Sequence, residues 1–468
     1  MEFNIYAVTD IHQEARNLSK ILTEICDLEQ NNKENSFVFL DGGDIFKGIY
    51  DKSLSVEAYL KFKHMFPNAS MIITLGNNDF GFKDDDYKYL LKVIKIFKDA
   101  GIDFVCGNLK GANIVPHYKI VKLCGIKILV TGFCMQTSVV HRFGLEFTDI
   151  KEAFASLINS VKESYDYIFV LNHHWYPYSL ELKKSFPEID LIIGGHEHSA
   201  IEPDYKNDVY YPLSFGRSFY KIVFDKGIKN ISQINPSGVI LPEFEKPLLK
   251  YENDTGLYKP IARRVLNLYK CYSEPCALGT FISDNMKSIA ETDIAFHSTG
   301  FTMYPLNADD SDVITKYDFD KVICASTPIV KMNLNISQLK CVFENATKNR
   351  INKNNGNAKF LQCSQNISLT GGVFGDEYKI VQLSINGDNL LDKNCEPVDA
   401  DRKFSCAVDE FIASGEQGFD VLKDIHRDYV QKDGHDVQLN SLLYYSLKQA
   451  EKLYPPKTEY PVFCLHDL

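Results

Sequence analysis

Apolar residues in the first half of the chain gather in short runs with the length of strands. Five stand out: Phe3 to Val8, Phe37 to Leu40, Met71 to Leu75, Tyr167 to Leu171 and Leu191 to Ile193. Strand-length apolar runs bounded by Gly, Asp or Asn are the pattern of buried strands in a sheet covered on both faces. A polar block follows each run almost at once. The blocks are Asp10-Ile11-His12, Gly43-Asp44, Gly76-Asn77-Asn78-Asp79, His173 and Gly195-His196-Glu197-His198. In open α/β sheets the groups beyond the carboxyl ends of the strands meet at one rim. The pattern therefore predicts an α/β fold whose five strand ends bring Asp, His and Asn together. These donors suit Mn, Fe, Zn or Ni. They are too many for one tetrahedral ion, and Asp44 is the natural bridge between two.

The middle of the chain changes character. Asn235 to Pro247 holds three prolines and a glycine, which reads as a loop. The first domain is expected to end near Phe244. Lys259 to Tyr269 places Ile261, Val265 and Leu268 at helical spacing and predicts a linker helix. The expected division is 1–244, a linker 245–274 and a second domain 275–468. The Asn- and Lys-rich stretch Lys348 to Asn357 is expected to be an exposed loop.

Composition narrows the function classes. A chain of 468 residues with 45% hydrophobic content is natural for two or three cores. The net charge of −11, with no basic stripe, argues against nucleic acid as the main partner. No segment reaches the roughly 18 apolar residues of a membrane span. Met1 to Val8 is already the first strand and carries no basic leader, so a cytoplasmic protein is expected. Export by a route that leaves no N-terminal signal is compatible with this. The 12 cysteines form no Cys-x-x-Cys pair, Cys271 and Cys276 being the closest couple. Reduced, mostly buried thiols are expected.

The five blocks in this order resemble the calcineurin-like metallophosphoesterases, and the layout of the rest resembles their 5'-nucleotidase and UDP-sugar hydrolase branch. The resemblance covers nearly the whole chain. It implies an N-terminal metallophosphoesterase β-sandwich flanked by helices (αββα), a linker helix and a C-terminal α+β substrate-binding domain. It implies that Asp10, His12, Asp44 and His198 hold one divalent ion and Asp44, Asn77, His173 and His196 the other. The ions would be Mn, Zn, Fe, Ni or Mg. Such a pair, about 4 Å apart, clamps a phosphate and makes hydroxide from a bridging water, which attacks phosphorus in line with the leaving oxygen. The implied partner is a small phosphate, nucleotide-like, with Asn77 also near it.

Several positions depart from the family pattern. The family's third block reads Gly-Asn-His, and that His serves the leaving oxygen; here the position is Asn78. The Asp that orients the His in this branch is replaced by Gly81. Asparagine donates hydrogen bonds but gives no proton at neutral pH. General acid catalysis is worth roughly 100- to 10,000-fold, so good leaving groups such as aryl esters or anhydrides should suffer least. His174 is a candidate replacement acid, or a residue that packs beside Trp175. In the second domain, Leu278-Gly279-Thr280-Phe281 with Asp284 matches the family's opening helix, and Phe411 to Phe419 its closing loop. Phe411 keeps the family's base-stacking position, with ordinary packing as the alternative. Gln417 replaces a ribose-binding Asp, Thr302 an Arg, and Cys324-Ala325-Ser326 falls where a second stacking Phe belongs. Three readings follow: a nucleotide phosphoesterase, a phosphodiesterase or anhydride hydrolase of the same fold, and a metal-binding pseudoenzyme that engages a partner.

Overall fold

The structure is a computed structural model. It describes residues 2–442 except 32–35, 82–83, 265–267, 269–270, 272–273, 303, 307–312, 324–326, 349–359 and 375–376, and beyond these 452–453 and 463–467. The chain divides into two compact units, Met1–Asp254 and Thr255–Leu468. The Cys324-Ala325-Ser326 position and all but the first residue of the Lys348 to Asn357 stretch lie outside the described residues.

The first unit is built on two sheets. The chain lays down β1 (Phe3–Val8), β2 (Val38–Asp41), β3 (Ser70–Thr74) and β4 (Ile102–Val105), which pair in parallel in that order. After the short strand β5 (Leu109–Lys110) come β6 (Tyr118–Leu123) and β7 (Ile126–Cys134), then β8 (Glu146–Phe147), which pairs with β5. The parallel strands β9 (Tyr167–His173) and β10 (Leu191–Gly195) join β7, and β11 (Val209–Tyr210) closes that sheet. Finally β12 (Phe219–Phe224) and β13 (Ile228–Ile234) return antiparallel to the free edge of β1.

Alternation along these strands makes the sandwich. Ile5, Ala7, Val38, Leu40 and Ile72 from one sheet pack on Ile128, Val130, Phe169, Leu171, Leu191 and Ile193 from the other. The opposite faces are also apolar and take helices. On one side lie α1 (Ala15–Glu29), α2 (Lys52–Met65) and α3 (Asp84–Ala100); Phe39 there meets Tyr59 and Phe62 of α2. On the other, α4 (Ile150–Ser160) and α5 (Tyr176–Ser185) set Phe154, Leu157 and Leu182 on Leu129, Val170 and Ile192. Helix, sheet, sheet and helix thus form the expected αββα layers, and the near-continuous apolar runs follow from strands covered on both faces.

The junction corrects the sequence reading. Asn235 to Pro247 is not one loop, since α6 (Pro242–Thr255) begins inside it. Phe244, Leu248 and Glu252 recur every four residues and are buried. Glu252 is tied down by Arg16 Nε at 2.7 Å and Nη2 at 2.5 Å and by the Tyr50 hydroxyl at 2.8 Å. Pro242 at the helix start loses no internal bond, and Pro247 forfeits one. Of the helix expected over Lys259 to Tyr269, Pro260–Arg264 is instead a strand, β14, paired antiparallel with β16 (Val313–Thr315), and Leu268 forms a bridge with Leu306, while Val265 lies outside the described residues.

The second unit is α+β. One of its sheets runs β18 (Leu361–Cys363), β15 (Ile294–Ser298), β22 (Lys403–Asp409), β17 (Ile329–Asn335), β23 (Arg427–Tyr429). Strands β19 (Ile367–Phe374), β20 (Glu377–Ile385) and β21 (Asp388–Asn389) pair antiparallel. Helices α7 (Ala277–Ala290), α8 (Lys316–Asp320), α9 (Ile336–Lys348) and α10 (Glu410–Ala413) complete it. The Leu278 to Phe281 motif begins α7, as expected.

Candidate metal centre

The ends of β1, β2, β3, β9 and β10 converge on one buried site. Backbone bonds stitch the loops beyond them: Asp10 N–H donates to Gly43 O at 2.8 Å and His12 N–H to Asp44 O at 2.9 Å. The His196 N–H donates to the Asp10 carboxylate at 2.9 and 3.1 Å, joining the two sheets. These turns are strained. Asp10, His12, Gln13, Asp44 and His196 have φ of +48°, +47°, +57°, +58° and +74°. Left-handed backbone at non-glycine residues concentrates where function demands a geometry the rest of the fold must enforce.

Buried acids do the enforcing. The Asp79 carboxylate accepts from Gly76 N at 2.8 Å and from Asp44 N and Phe46 N at 3.1 Å, so it binds the β3 loop to the β2 loop. Burial and the charge of Asp44 push its carboxyl up. Asp41 accepts from Gly43 N at 2.9 Å and from the Tyr59 hydroxyl at 2.5 Å. Gly76 is required by close approach: a Cβ there would lie 2.1 Å from Asp44 Oδ1.

Two donor groups result, Asp10 with His12 and His198, and Asp44 with His173 and His196. Within each, one ligand atom per residue lies within 4.8 Å of the others. Asp44 Oδ2 stands 3.2 Å from His173 Nε2 and 3.7 Å from His12 Nε2, so it faces both groups. Asn77 Oδ1 adds a further oxygen 3.2 Å from His173 Nε2. All seven residues proposed as ligands are therefore brought together.

The residues fit metal ions. His173 Nδ1 sits 2.7 Å from Gly42 O and His12 Nδ1 3.2 Å from Phe46 O. A carbonyl at Nδ1 places the proton there and leaves Nε2 as a lone pair aimed into the site. His12 Nε2 and His198 Nε2 face one another at 3.0 Å, an arrangement that a shared cation satisfies better than a single proton does. His196 Nε2 is buried with no hydrogen-bond partner among the described residues, which costs free energy unless something coordinates it. Burial alone would raise the Asp10 and Asp44 carboxyls, but the neighbouring imidazoles hold both well below the usual range. Rings wall the site: Phe215 lies 5.1 Å from His12 and 5.0 Å from His198, and Trp175 4.3 Å from His196.

Sequence profiles agree with this geometry. That of the calcineurin-like phosphoesterases matches residues 3–200, and that of the 5'-nucleotidase C-terminal domain matches 254–424. The chain belongs to the 5'-nucleotidase family of calcineurin-like phosphoesterases. It is a divergent member. It is similar to a trifunctional nucleotide phosphoesterase of Bacillus subtilis, at 23% identity over 90% of this chain and 32% of that protein. The chain thus spans about a third of that relative's length. An apyrase of Tabanus yao is 23% identical over 92% of this chain and 85% of its own. The fold matches a 5'-nucleotidase precursor from Thermus thermophilus with a TM-score of 0.76, at 19% identity over 99% of both chains.

The departures from the family now have positions. Asn78 donates to Asp44 from its backbone and its amide, and its Oδ1 accepts from Lys47 Nζ at 2.8 Å. Gly81 sits at φ +62° with Asp86 against it, so a Cβ would lie 2.2 Å from that of Asp86. His174 Nδ1 accepts from Trp175 N at 2.8 Å, and its ring lies 3.9 Å from that of Tyr178. Burial and the charge of His173 push it down to about 4. In the second unit, Phe411 is half-buried, meets Phe301 edge-on at 5.7 Å and packs against two apolar clusters, one holding Met332, Leu339 and Phe343 and the other Leu278, Ile282 and Phe319. Gln417 has φ +57°, and its Oε1, like Thr302 Oγ1, is buried without a hydrogen-bond partner among the described residues. Sequence reading gave no role to Lys47, Asp41, Asp79 or Phe215. The signal for Lys47 was a cation three residues beyond Asp44 in the same loop.

Proposed function

We propose that the chain is a metal-dependent phosphohydrolase of nucleotides or related small phosphates, with two divalent ions. Asp10, His12, Asp44 and His198 would hold one, and Asp44, Asn77, His173 and His196 the other. The observation that carries this reading is Asp44, a buried carboxylate facing two imidazole-bearing groups at once. Bound divalent ions would activate water and offset charge on the phosphate oxygens. The chain's own part is positional. Asp79 fixes the Asp44 loop, the Gly42 and Phe46 carbonyls orient His173 and His12, and Phe215 and Trp175 pack against the imidazoles. The names of the relatives support nucleotides as the substrate class.

Asn78 favours a second emphasis within this reading, toward diesters or anhydrides. It stands where the family has its acid, and it carries no transferable proton at neutral pH. The test is turnover of AMP, ADP, 4-nitrophenyl phosphate and bis(4-nitrophenyl) phosphate by the full chain loaded with Mn or Zn. Turnover that a chelator abolishes supports the reading. No turnover of any of the four, with metal bound, contradicts it.

A further inference from the structure

Lys47 lies on the loop that leaves Asp44, and its backbone is forced. Phe46 before it is held by Asp79 through its N–H at 3.1 Å and by His12 Nδ1 at its carbonyl. Gly48 after it donates its N–H to the Gln13 side chain, whose Nε2 in turn holds Tyr50 O at 2.9 Å. A Cβ at Gly48 would lie 1.6 Å from the His12 carbonyl oxygen. With both neighbours fixed, Lys47 takes φ of +73°, a conformation that lysine adopts only under constraint. The strained turn sends its ammonium across to Asn78 Oδ1 at 2.8 Å, while Asn78 Nδ2 reaches Asp44 Oδ2 at 2.6 Å. One amide therefore separates a lysine cation from the carboxylate that faces both donor groups.

We propose that Lys47 is a catalytic residue: its ammonium binds the phosphate beside Asp44 and offsets negative charge on the departing oxygen, where the family's histidine would otherwise stand. This rests on the phosphohydrolase reading. The step requires no proton from lysine. A water oxygen, its proton given up to solvent, forms the new bond to phosphorus as the bond to the leaving oxygen breaks; the electron pair stays on the leaving oxygen, the ammonium hydrogen-bonds to it, and solvent protonates it after departure. A fixed cation aimed at developing charge is an effective electrostatic aid because it needs no reorganisation during reaction. Arginine, which keeps the charge, should therefore substitute in part, whereas an isosteric neutral chain should not.

The test uses the full metal-loaded chain with Lys47→Met, Lys47→Gln and Lys47→Arg. Three readouts are needed: metal per chain, turnover against leaving-group pKa, and binding of inorganic phosphate by calorimetry. The expected result is unchanged metal content in all three. Turnover of an alkyl ester should fall about 100-fold in the neutral variants and less for 4-nitrophenyl phosphate. Phosphate should bind roughly tenfold more weakly, and Lys47→Arg should recover most of both losses. Neutral variants within twofold of the parent in turnover and phosphate binding would overturn the proposal, as would an arginine variant no better than methionine. If the parent itself turns over no phosphate ester and binds no phosphate, the phosphohydrolase reading fails and this proposal with it. If the parent is active and only the variants show no loss, Lys47 alone is refuted.

Discussion

Asn78 donates two hydrogen bonds to the Asp44 carboxylate, from its backbone N–H at 2.8 Å and from its amide Nδ2 at 2.6 Å. The position that serves the leaving oxygen in the family is thereby tied to the carboxylate between the two donor groups. The rate should then depend steeply on leaving-group pKa, with aryl esters and anhydrides far ahead of alkyl monoesters such as AMP. Asn78→His alone should flatten the dependence, with a gain on AMP within the roughly 100- to 10,000-fold span of general acid catalysis. Adding Gly81→Asp should not help, since a side chain there strains a left-handed backbone and strikes Asp86. Rapid AMP hydrolysis by the parent chain would contradict this.

Gly76→Ala should abolish activity while leaving the fold recognisable. The new Cβ would press on the Asp44 carboxylate and its N–H, both within 2.4 Å of its ideal position. Circular dichroism should be nearly unchanged, whereas turnover of bis(4-nitrophenyl) phosphate should drop at least about 100-fold, as misplacement of about 1 Å at a catalytic group does. Full activity would show that Asp44 is not needed where it stands.

His297 should make the protein sensitive to acid. It is fully buried, its Nδ1 lies 3.0 Å from Ser283 Oγ, and burial pushes its imidazole down to about 3. Unfolded, it titrates near pH 6.5. Between these values the unfolded chain binds a proton that the folded chain refuses, so stability is full above about pH 6.5 and falls as pH drops toward 3. The contribution is about 1.4 kcal/mol per pH unit across that window. His297→Gln should remove it, which calorimetric unfolding followed from pH 7 to 4 would detect. An unchanged pH dependence would contradict it.

Phe411→Ala separates packing from substrate binding. The loss of contact with Phe301 and both apolar clusters should cost about 2 kcal/mol, less than for a fully buried Phe. If the ring also carries the base of a nucleotide, stacking worth about 1–3 kcal/mol is lost too. KM for AMP or ADP should then rise about tenfold or more, with 4-nitrophenyl phosphate unaffected. Equal changes for both would assign Phe411 to packing alone.

The sequence showed the site more clearly than the joints of the fold. Each of the five runs ends in the strand expected, because a strand covered on both faces announces itself by composition without a partner being known. Lys47 escaped notice because its direction is set by a turn at positive φ rather than by periodicity, and Asp79, though part of the third block, was given no role because its partners are backbone N–H groups of two loops far apart in sequence. The helix Pro242–Thr255 was hidden by its prolines, one of which sits at the helix start at no cost. Ile261, Val265 and Leu268 fit a helical period, but pairing with Val313–Thr315 decided for a strand over Pro260–Arg264, and long-range pairing is not written in local spacing. Gly81 looked like a simple loss of an acid, yet its backbone has no room for one.

The most direct test of the account is the metal content of the chain and of its Asp44→Asn variant, loaded with excess Mn or Zn, freed of unbound ion and measured by elemental analysis. The account predicts close to two ions per parent chain. The variant should hold well under one, since a carboxylate that faces both groups loses its charge to each, weakening affinity by about 100-fold. A parent chain that binds one ion or none, or a variant that keeps two, would contradict it.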